Sequence, residues 1–253
     1  YNHFDFAKNA YKIVVDIDPR ELSKPTIRPD LPVHADVKDL LEKMSRAAYH
    51  VNPVHKDWLC WCRNLVAKYP AVLPEYHHAD GLINPYVFID RLFGQLRDDD
   101  RVITGNGAAC VITFQACRIR QGQRMFTNSG CAAMGYGFPA ALGVAVSDNS
   151  KRTICIDGDG SFMMNLQELA TVSHNRLNLK IILLNNNGYL SIRQTQRNLF
   201  KPPFIGIDEE SGVGFPDFAK LADAFGVGYY VLHDEPECDS VLKEALESDD
   251  PCI

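Results

Sequence analysis

Residues 155–196 read CIDGDGSFMMNLQELATVSHNRLNLKIILLNNNGYLSIRQTQ, and the rest of the chain is arranged around them. The apolar run at 152–157 has the composition of a buried strand. It closes on Gly158-Asp159-Gly160-Ser161. An amphipathic stretch follows, with Phe162, Leu166, Leu169, Ala170 and Val172 mostly at helical spacing. A second apolar run, 179–184, ends in Asn185-Asn186-Asn187-Gly188. Strand, helix and strand in this order predict a parallel pair whose C-terminal ends lie side by side. Asp159 and Asn186 then meet at one point, although 27 positions separate them.

A carboxylate and an amide oxygen are hard ligands. Magnesium favours few protein ligands, supplemented by phosphate oxygens and water. Gly158 and Gly160 let the backbone approach closely, and N–H groups at a helix start face an anion. By itself, Gly-Asp-Gly is better read as a tight turn with Asp159 capping the helix. The paired asparagines at the second strand end favour the cation instead, because Asn is depleted in strands and has no packing use there.

On these residues the chain resembles the thiamine-diphosphate-dependent enzymes, in which GDG is followed at a fixed distance by NN. The nearest branch is that of the acetolactate synthase-like decarboxylases and carboligases. The resemblance implies an α/β fold, a doubly wound, mostly parallel sheet with helices on both faces. It implies thiamine diphosphate and Mg2+ as cofactors. The metal ligands carried over are Asp159, Asn186 and the carbonyl of Gly188. Gly158, Gly160, Ser161, Tyr189 and Leu190 border the cofactor in the same resemblance.

Two further segments extend it. Gly105-Asn106-Gly107-Ala108-Ala109 follows a predicted strand at 101–104 and offers backbone N–H groups to a phosphate. It fails the dinucleotide fingerprint, since Cys110 stands where a third glycine belongs. In much of the synthase branch a Gln and a His follow the last glycine. Here Ala108 and Ala109 stand there, so only backbone contacts from Asn106, Gly107 and Ala108 carry over. The small-residue segment 129–141 resembles the family's G–x–MG–x–G–x–PAA. The resemblance makes Met134 a wedge between the cofactor's rings, with Ala133 beside it. The carbonyl of Ala132 becomes the acceptor for the aminopyrimidine. Core filling is the commoner use of an isolated Met.

The implied activity is that of a lyase or transferase acting on a 2-oxo acid, with or without a carbonyl acceptor. In the family a Glu in a separate pyrimidine-binding domain activates the cofactor, and no stretch here matches that domain. No catalytic residue is therefore assigned, and the chain is expected to be inert alone and to work in a homo-oligomer. Synthases joining two 2-oxo acids carry a Trp nine residues after the second Asn, where this chain has Thr195. That departure leaves room for another acceptor, such as a sugar or an aldehyde. A noncatalytic fragment serving assembly or regulation is the competing reading, and a nucleotide-dependent Rossmann enzyme is a weaker one.

The 253 residues allow one large domain or one and a part. With 46% hydrophobic and 23% charged residues the composition is that of an ordinary globular chain. A net charge of -6 disfavours nonspecific nucleic-acid binding. No run reaches the length of a membrane span, and no signal peptide is visible. Of eight cysteines only Cys60 and Cys62 are close, without finger-like partners, so zinc is not expected and a reducing cytoplasm is.

The remainder divides into three expected parts. Residues 1–47 resemble the end of the family's central domain, with a strand at 12–17 and a helix at 36–47 capped by Asp36, so Tyr1 is expected to begin in mid-domain. Residues 48–80 are a connector containing a short helix and the histidines His50, His55, His77 and His78, read as solvated linker. Residues 81–253 form the diphosphate- and magnesium-binding domain. Asn84-Pro85 opens its first helix, Pro216 opens a later one, residues 227–232 read as a strand, and Pro251 opens another.

Overall fold

The computed structural model describes residues 3–47, 53, 55–78 and 82–253, with His78 described by backbone alone. His50 and the other expected connector residues at 48–52, 54, 79 and 80 lie outside this set, as does Gly81. The chain divides into two compact units, Tyr1–Ala67 and Lys68–Ile253.

In the first unit, strands β1 (Ile13–Asp16) and β2 (Leu31–His34) pair in parallel. The short helix α1 (Pro19–Leu22) connects them, capped by Asp18, whose carboxylate accepts from the Arg20 N–H. Helix α2 (Val37–Arg46) starts at Asp36, which accepts from the Lys38 N–H at 2.8 Å. Its apolar residues Val37, Leu41 and Met44 are exposed. Helix α3 (His55–Lys68) carries Trp58 stacked on Trp61.

The second unit is built on a four-stranded parallel sheet in the order β4-β3-β5-β6. The strands are β3 (Arg101–Thr104), β4 (Arg124–Thr127), β5 (Thr153–Gly158) and β6 (Leu179–Leu184). The helices are α4 (Pro85–Gln95), α5 (Gly107–Ala116), α6 (Gly137–Ser147), α7 (Asp159–Phe162), α8 (Leu169–His174), α9 (Leu190–Leu199), α10 (Phe218–Phe225) and α11 (Cys238–Glu247). Successive strand residues face opposite sides. Val102, Ile154 and Ile156 pack with Ile89, Leu92, Leu242 and Leu246 of α4 and α11. Ile103, Cys155 and Ile181 pack with Phe138, Ala141, Leu169 and Ala222 of α6, α8 and α10. Both faces of the sheet are therefore covered, which is why β5 reads as a mostly apolar run, interrupted by Asp157. The doubly wound α/β class expected from the sequence is the observed one.

Asn84 caps α4 as expected, accepting from the Tyr86 N–H at 2.9 Å. Three local expectations differ. The single helix expected after Gly160 is broken into α7, a 3-10 turn at Leu166–Glu168, and α8. At the break Asn165 donates its amide to the Gly135 carbonyl at 2.6 Å, a long-range bond that competes with helix geometry. Residues 227–232 do not form a regular strand. Gly228 makes an isolated bridge to Cys252, which also bridges Lys180, so the sheet continues by single contacts. Helix α10 opens at Asp217, whose carboxylate accepts from the Ala219 and Lys220 N–H groups, one residue later than the Pro216 start.

Candidate functional site

The C-terminal ends of β3, β5 and β6 each pass into a turn and then a helix, and three such turns meet. At the centre lies Asp159, the first residue of α7 and only 1% exposed. Its Oδ1 accepts from the Gly160 N–H at 2.7 Å. Its Oδ2 accepts from the Asn186 N–H at 3.1 Å and the Gly188 N–H at 3.0 Å. The carboxylate therefore grips the turn after β6, and the two strand ends meet across 27 positions of sequence. Burial pushes the Asp159 carboxyl up, and the N–H donors of Gly188, Gly160 and Asn186 pull it back down.

Asn186 contributes a different signal. Its Oδ1 is buried and has no hydrogen-bond partner among the described residues. A buried amide oxygen without a protein partner costs about 1–3 kcal/mol, so folded proteins rarely keep one without a use. Among the described residues no group of three or more His, Cys, Asp or Glu side chains is placed to hold a metal. The donor set available here is one carboxylate, one amide oxygen and backbone carbonyls, all hard oxygens, which fits magnesium bound together with a phosphate ligand and not zinc.

The surrounding turns are shaped by close backbone approach. A Cβ at Gly160 would lie 2.2 Å from Tyr189 Cε1, so the Tyr189 ring rests directly on the Gly160 backbone. Gly188 has φ +151, and a Cβ there would lie 2.1 Å from the Ile207 carbonyl. The turn after β3 places Asn106 as the N-cap residue of α5, but its side chain donates to the Ala132 carbonyl at 2.9 Å instead of capping. Ala132 has φ 51 and Gly107 has φ +58. A Cβ on Gly107 would sit 3.3 Å from Ser191 Oγ, which brings the starts of α5 and α9 together. Ser161 Oγ accepts from the Gly135 N–H at 2.9 Å, tying the loop before α6 to α7. Asn128 donates to the Ala133 carbonyl at 3.2 Å in that same loop.

Several residues singled out in the sequence are thus linked, Asn106 with Ala132, Asp159 with Asn186 and Gly188, and Gly160 with Tyr189, while Gly107 lies against Ser191, which was not singled out. Ala108 and Leu190 lie in the first turns of α5 and α9, where N–H groups lack intrahelical partners. Met134 is 38% exposed on the loop between β4 and α6 and is no part of the core. Gly158 ends β5 with its N–H on Asp157 Oδ1.

Sequence reasoning passed over Asp157. Its carboxyl is fully buried, with Oδ2 unpartnered among the described residues. A Cβ on Gly105 would lie 2.0 Å from Oδ1, and one on Gly137 2.8 Å from Oδ2. Burial raises its pKa to about 6. An acidic residue inside an otherwise apolar run was the available signal. Sequence reasoning also missed the bracing of α9 by the segment 205–213, which rests on contacts of 9 to 18 positions' separation with no local pattern.

Residues 105–253 match the family model described as the thiamine pyrophosphate enzyme C-terminal TPP binding domain. The chain is 31% identical over 248 residues to the acetolactate synthase isozyme 1 large subunit of Escherichia coli (strain K12), covering 98% of this chain and 42% of that protein. It is 32% identical to the isozyme 2 large subunit of the same organism, with 98% and 43% covered. A probable acetolactate synthase large subunit of Methanococcus aeolicus is 31% identical, again with 98% and 43% covered. The chain therefore spans less than half the length of these relatives. The three glycine-shaped turns and the matched span agree: the chain belongs to the thiamine pyrophosphate enzyme family and carries its C-terminal TPP-binding domain.

Proposed function

We propose that this chain holds the diphosphate and Mg2+ of thiamine diphosphate in an acetolactate synthase-like decarboxylase or carboligase acting on a 2-oxo acid. The unpartnered Asn186 Oδ1, beside a turn gripped by Asp159, carries the reading. Asp159, Asn186 Oδ1 and the Gly188 carbonyl would hold the cation. Its charge would offset the burial that pushes the Asp159 carboxyl up. The first-turn N–H groups of α5 and α9, including Ala108 and Leu190, would face the diphosphate with the positive ends of those helices. When bound, thiamine diphosphate supplies the reactive carbon and the electron sink for 2-oxo-acid chemistry.

The chain's own residues orient and shield. Asn106 fixes the Ala132 carbonyl through its amide, which keeps that acceptor aimed at one direction. The Tyr189 ring rests on the Gly160 backbone, next to Asp159, which is itself buried. Met134, partly exposed on its loop, is free to wedge against a ring. Proton removal from the cofactor is assigned to a Glu of another domain, and the working assembly to a homo-oligomer. Residues 1–47 are assigned to a central domain, 48–80 to a connector and 81–253 to the binding domain. All eight cysteines are free thiols, in keeping with a cytoplasmic setting. Among the described residues no helix is long and apolar enough to cross a membrane.

Calorimetric titration of thiamine diphosphate, with and without magnesium, tests the reading. Binding that needs the cation and is competed by inorganic diphosphate is expected. Absence of heat and of competition would leave the noncatalytic fragment as the better account.

A further inference from the structure

The turn that carries Asn186 and Gly188 is held from outside as well as by Asp159. Arg193, on the first turns of α9, donates from Nη2 to the Asn187 carbonyl at 3.2 Å. Its Nε lies 3.4 Å from Asp208 Oδ2, an ion pair without hydrogen-bond geometry. The pair is largely buried, with side chains 16% and 26% exposed. Asp208 is itself fixed, because its Oδ1 accepts from both the N–H and the hydroxyl of Ser211, at 3.2 and 2.7 Å. The segment bearing Asp208 is fastened at two more points. Ile207 accepts from the Tyr189 N–H at 2.9 Å. Gln196 exchanges two hydrogen bonds with the Ile205 backbone, at 2.9 and 3.0 Å.

The geometry has one consequence for the cation site. The Asn187 carbonyl and the Gly188 N–H belong to the same peptide plane and, in a trans peptide, point in opposite directions. Asp159 Oδ2 holds the N–H end at 3.0 Å, and Arg193 holds the carbonyl end at 3.2 Å. One peptide is therefore clamped between a carboxylate and a guanidinium. Gly188 completes the arrangement, since a Cβ there would lie 2.6 Å from Arg193 Nη2. A rotation of this plane would release Asp159 Oδ2. The Gly188 carbonyl lies in the next peptide, whose Tyr189 N–H is held by the Ile207 carbonyl beside Asp208. Burying a guanidinium is costly unless it is paired, and Asp208 offsets that cost.

We infer that Arg193, paired with Asp208, is a positioning residue for the cation site, locking the Asn187–Gly188 peptide so that the Asp159 carboxylate and the turn it grips stay aimed at the ion. The inference rests on the cation reading given above. The planar guanidinium is suited to the task because it reaches Asp208 and Asn187 through different nitrogens, which an ammonium does less well.

The test titrates Mn2+, followed by electron paramagnetic resonance, into the protein at its full natural length in the presence of thiamine diphosphate. Arg193→Gln, Arg193→Lys and Asp208→Asn are compared with wild type. Residues that orient metal ligands typically change affinity by about 10–100-fold. Arg193→Gln is expected to raise the half-saturating Mn2+ at least about tenfold, Arg193→Lys and Asp208→Asn by intermediate factors. The double variant is expected to be no worse than Arg193→Gln alone. Melting temperatures measured in EDTA separate this role from simple bracing, which would lower them in every variant without moving the half-saturation. Unchanged half-saturation in all variants, with wild type binding normally, overturns the clamp and leaves the cation site standing. A wild-type protein that takes up neither cation nor cofactor overturns both. Should Arg193→Gln fail to fold, Asp208→Asn, which keeps the side-chain volume, decides the matter.

Discussion

Replacing Asn186 with Ala should have opposite effects on the free and the liganded protein. The free protein holds Asn186 Oδ1 buried without a partner among the described residues. Ala deletes that oxygen and with it a penalty of about 1–3 kcal/mol. The side chain is half-buried, so the lost packing is about 1 kcal/mol. The backbone N–H that donates to Asp159 remains in the variant. Free Asn186→Ala should therefore be as stable as wild type or up to about 2 kcal/mol more so. With thiamine diphosphate and magnesium at about 100 times the dissociation constant, wild type gains about 2.7 kcal/mol. A tenfold loss of affinity on removing one cation ligand halves that gain, to about 1.4 kcal/mol. Urea unfolding with linear extrapolation, with and without the two ligands, resolves differences of this size. A variant destabilised by more than about 2 kcal/mol when free, yet keeping the full ligand-induced gain, would mark Asn186 as a structural residue and refute the reasoning.

Asp157 predicts a pH dependence. Its folded pKa of about 6 lies above the ordinary 3.8 because of burial, so the folded protein holds this proton more tightly than the unfolded chain does. The associated stability is complete below the unfolded value and is lost as pH rises through about 6. Relative to Asp157→Asn, wild type should lose about 2 kcal/mol between about pH 4 and 8, read from urea midpoints, and parallel curves would contradict the assignment. A second prediction concerns the opposite, N-terminal end of the central strands, where Arg152 donates from Nε and Nη2 to Asp100 and from Nη1 to the Leu246 carbonyl, all buried. Asp100→Ala leaves the guanidinium without its counter-charge and should cost about 3–5 kcal/mol in chemical denaturation. Because Asp100 and Arg152 precede β3 and β5 whereas the candidate site follows them, the ligand-induced gain should stay unchanged.

What could be read in advance depended on how locally each feature is determined. Strands β5 and β6 are apolar on both faces and are punctuated by glycine and asparagine, so their limits are visible in a few residues. The caps Asp36 and Asn84 are equally local, each accepting from an N–H two residues on. The juxtaposition of Asp159 with Asn186 and Gly188 was legible for a different reason. Parallel strands joined by a right-handed crossover place their C-terminal ends together whatever the intervening residues do. The break at Asn165 was not legible, since the competing acceptor, the Gly135 carbonyl, lies 30 positions earlier. Neither was the Arg193–Asp208 pair, whose members are joined only once the segment after α9 has folded back. The same distinction applies within the site. The residues proposed to touch the cofactor sit at strand ends, where topology fixes their position. The residue proposed to hold one of them still reaches from a helix to a distant carboxylate, and nothing in the local pattern marks it. Positioning residues of this kind can therefore differ between relatives that share the whole Gly-Asp-Gly and Asn-Asn pattern. Arg193 stands two positions before Thr195, where the synthase branch has Trp, so the clamp and the departure in the expected pocket fall on one helix, α9. On the function proposed above, the two roles are separable along that helix: swapping Thr195 for Trp should alter acceptor choice without moving the half-saturating cation, while changes at Arg193 should do the reverse.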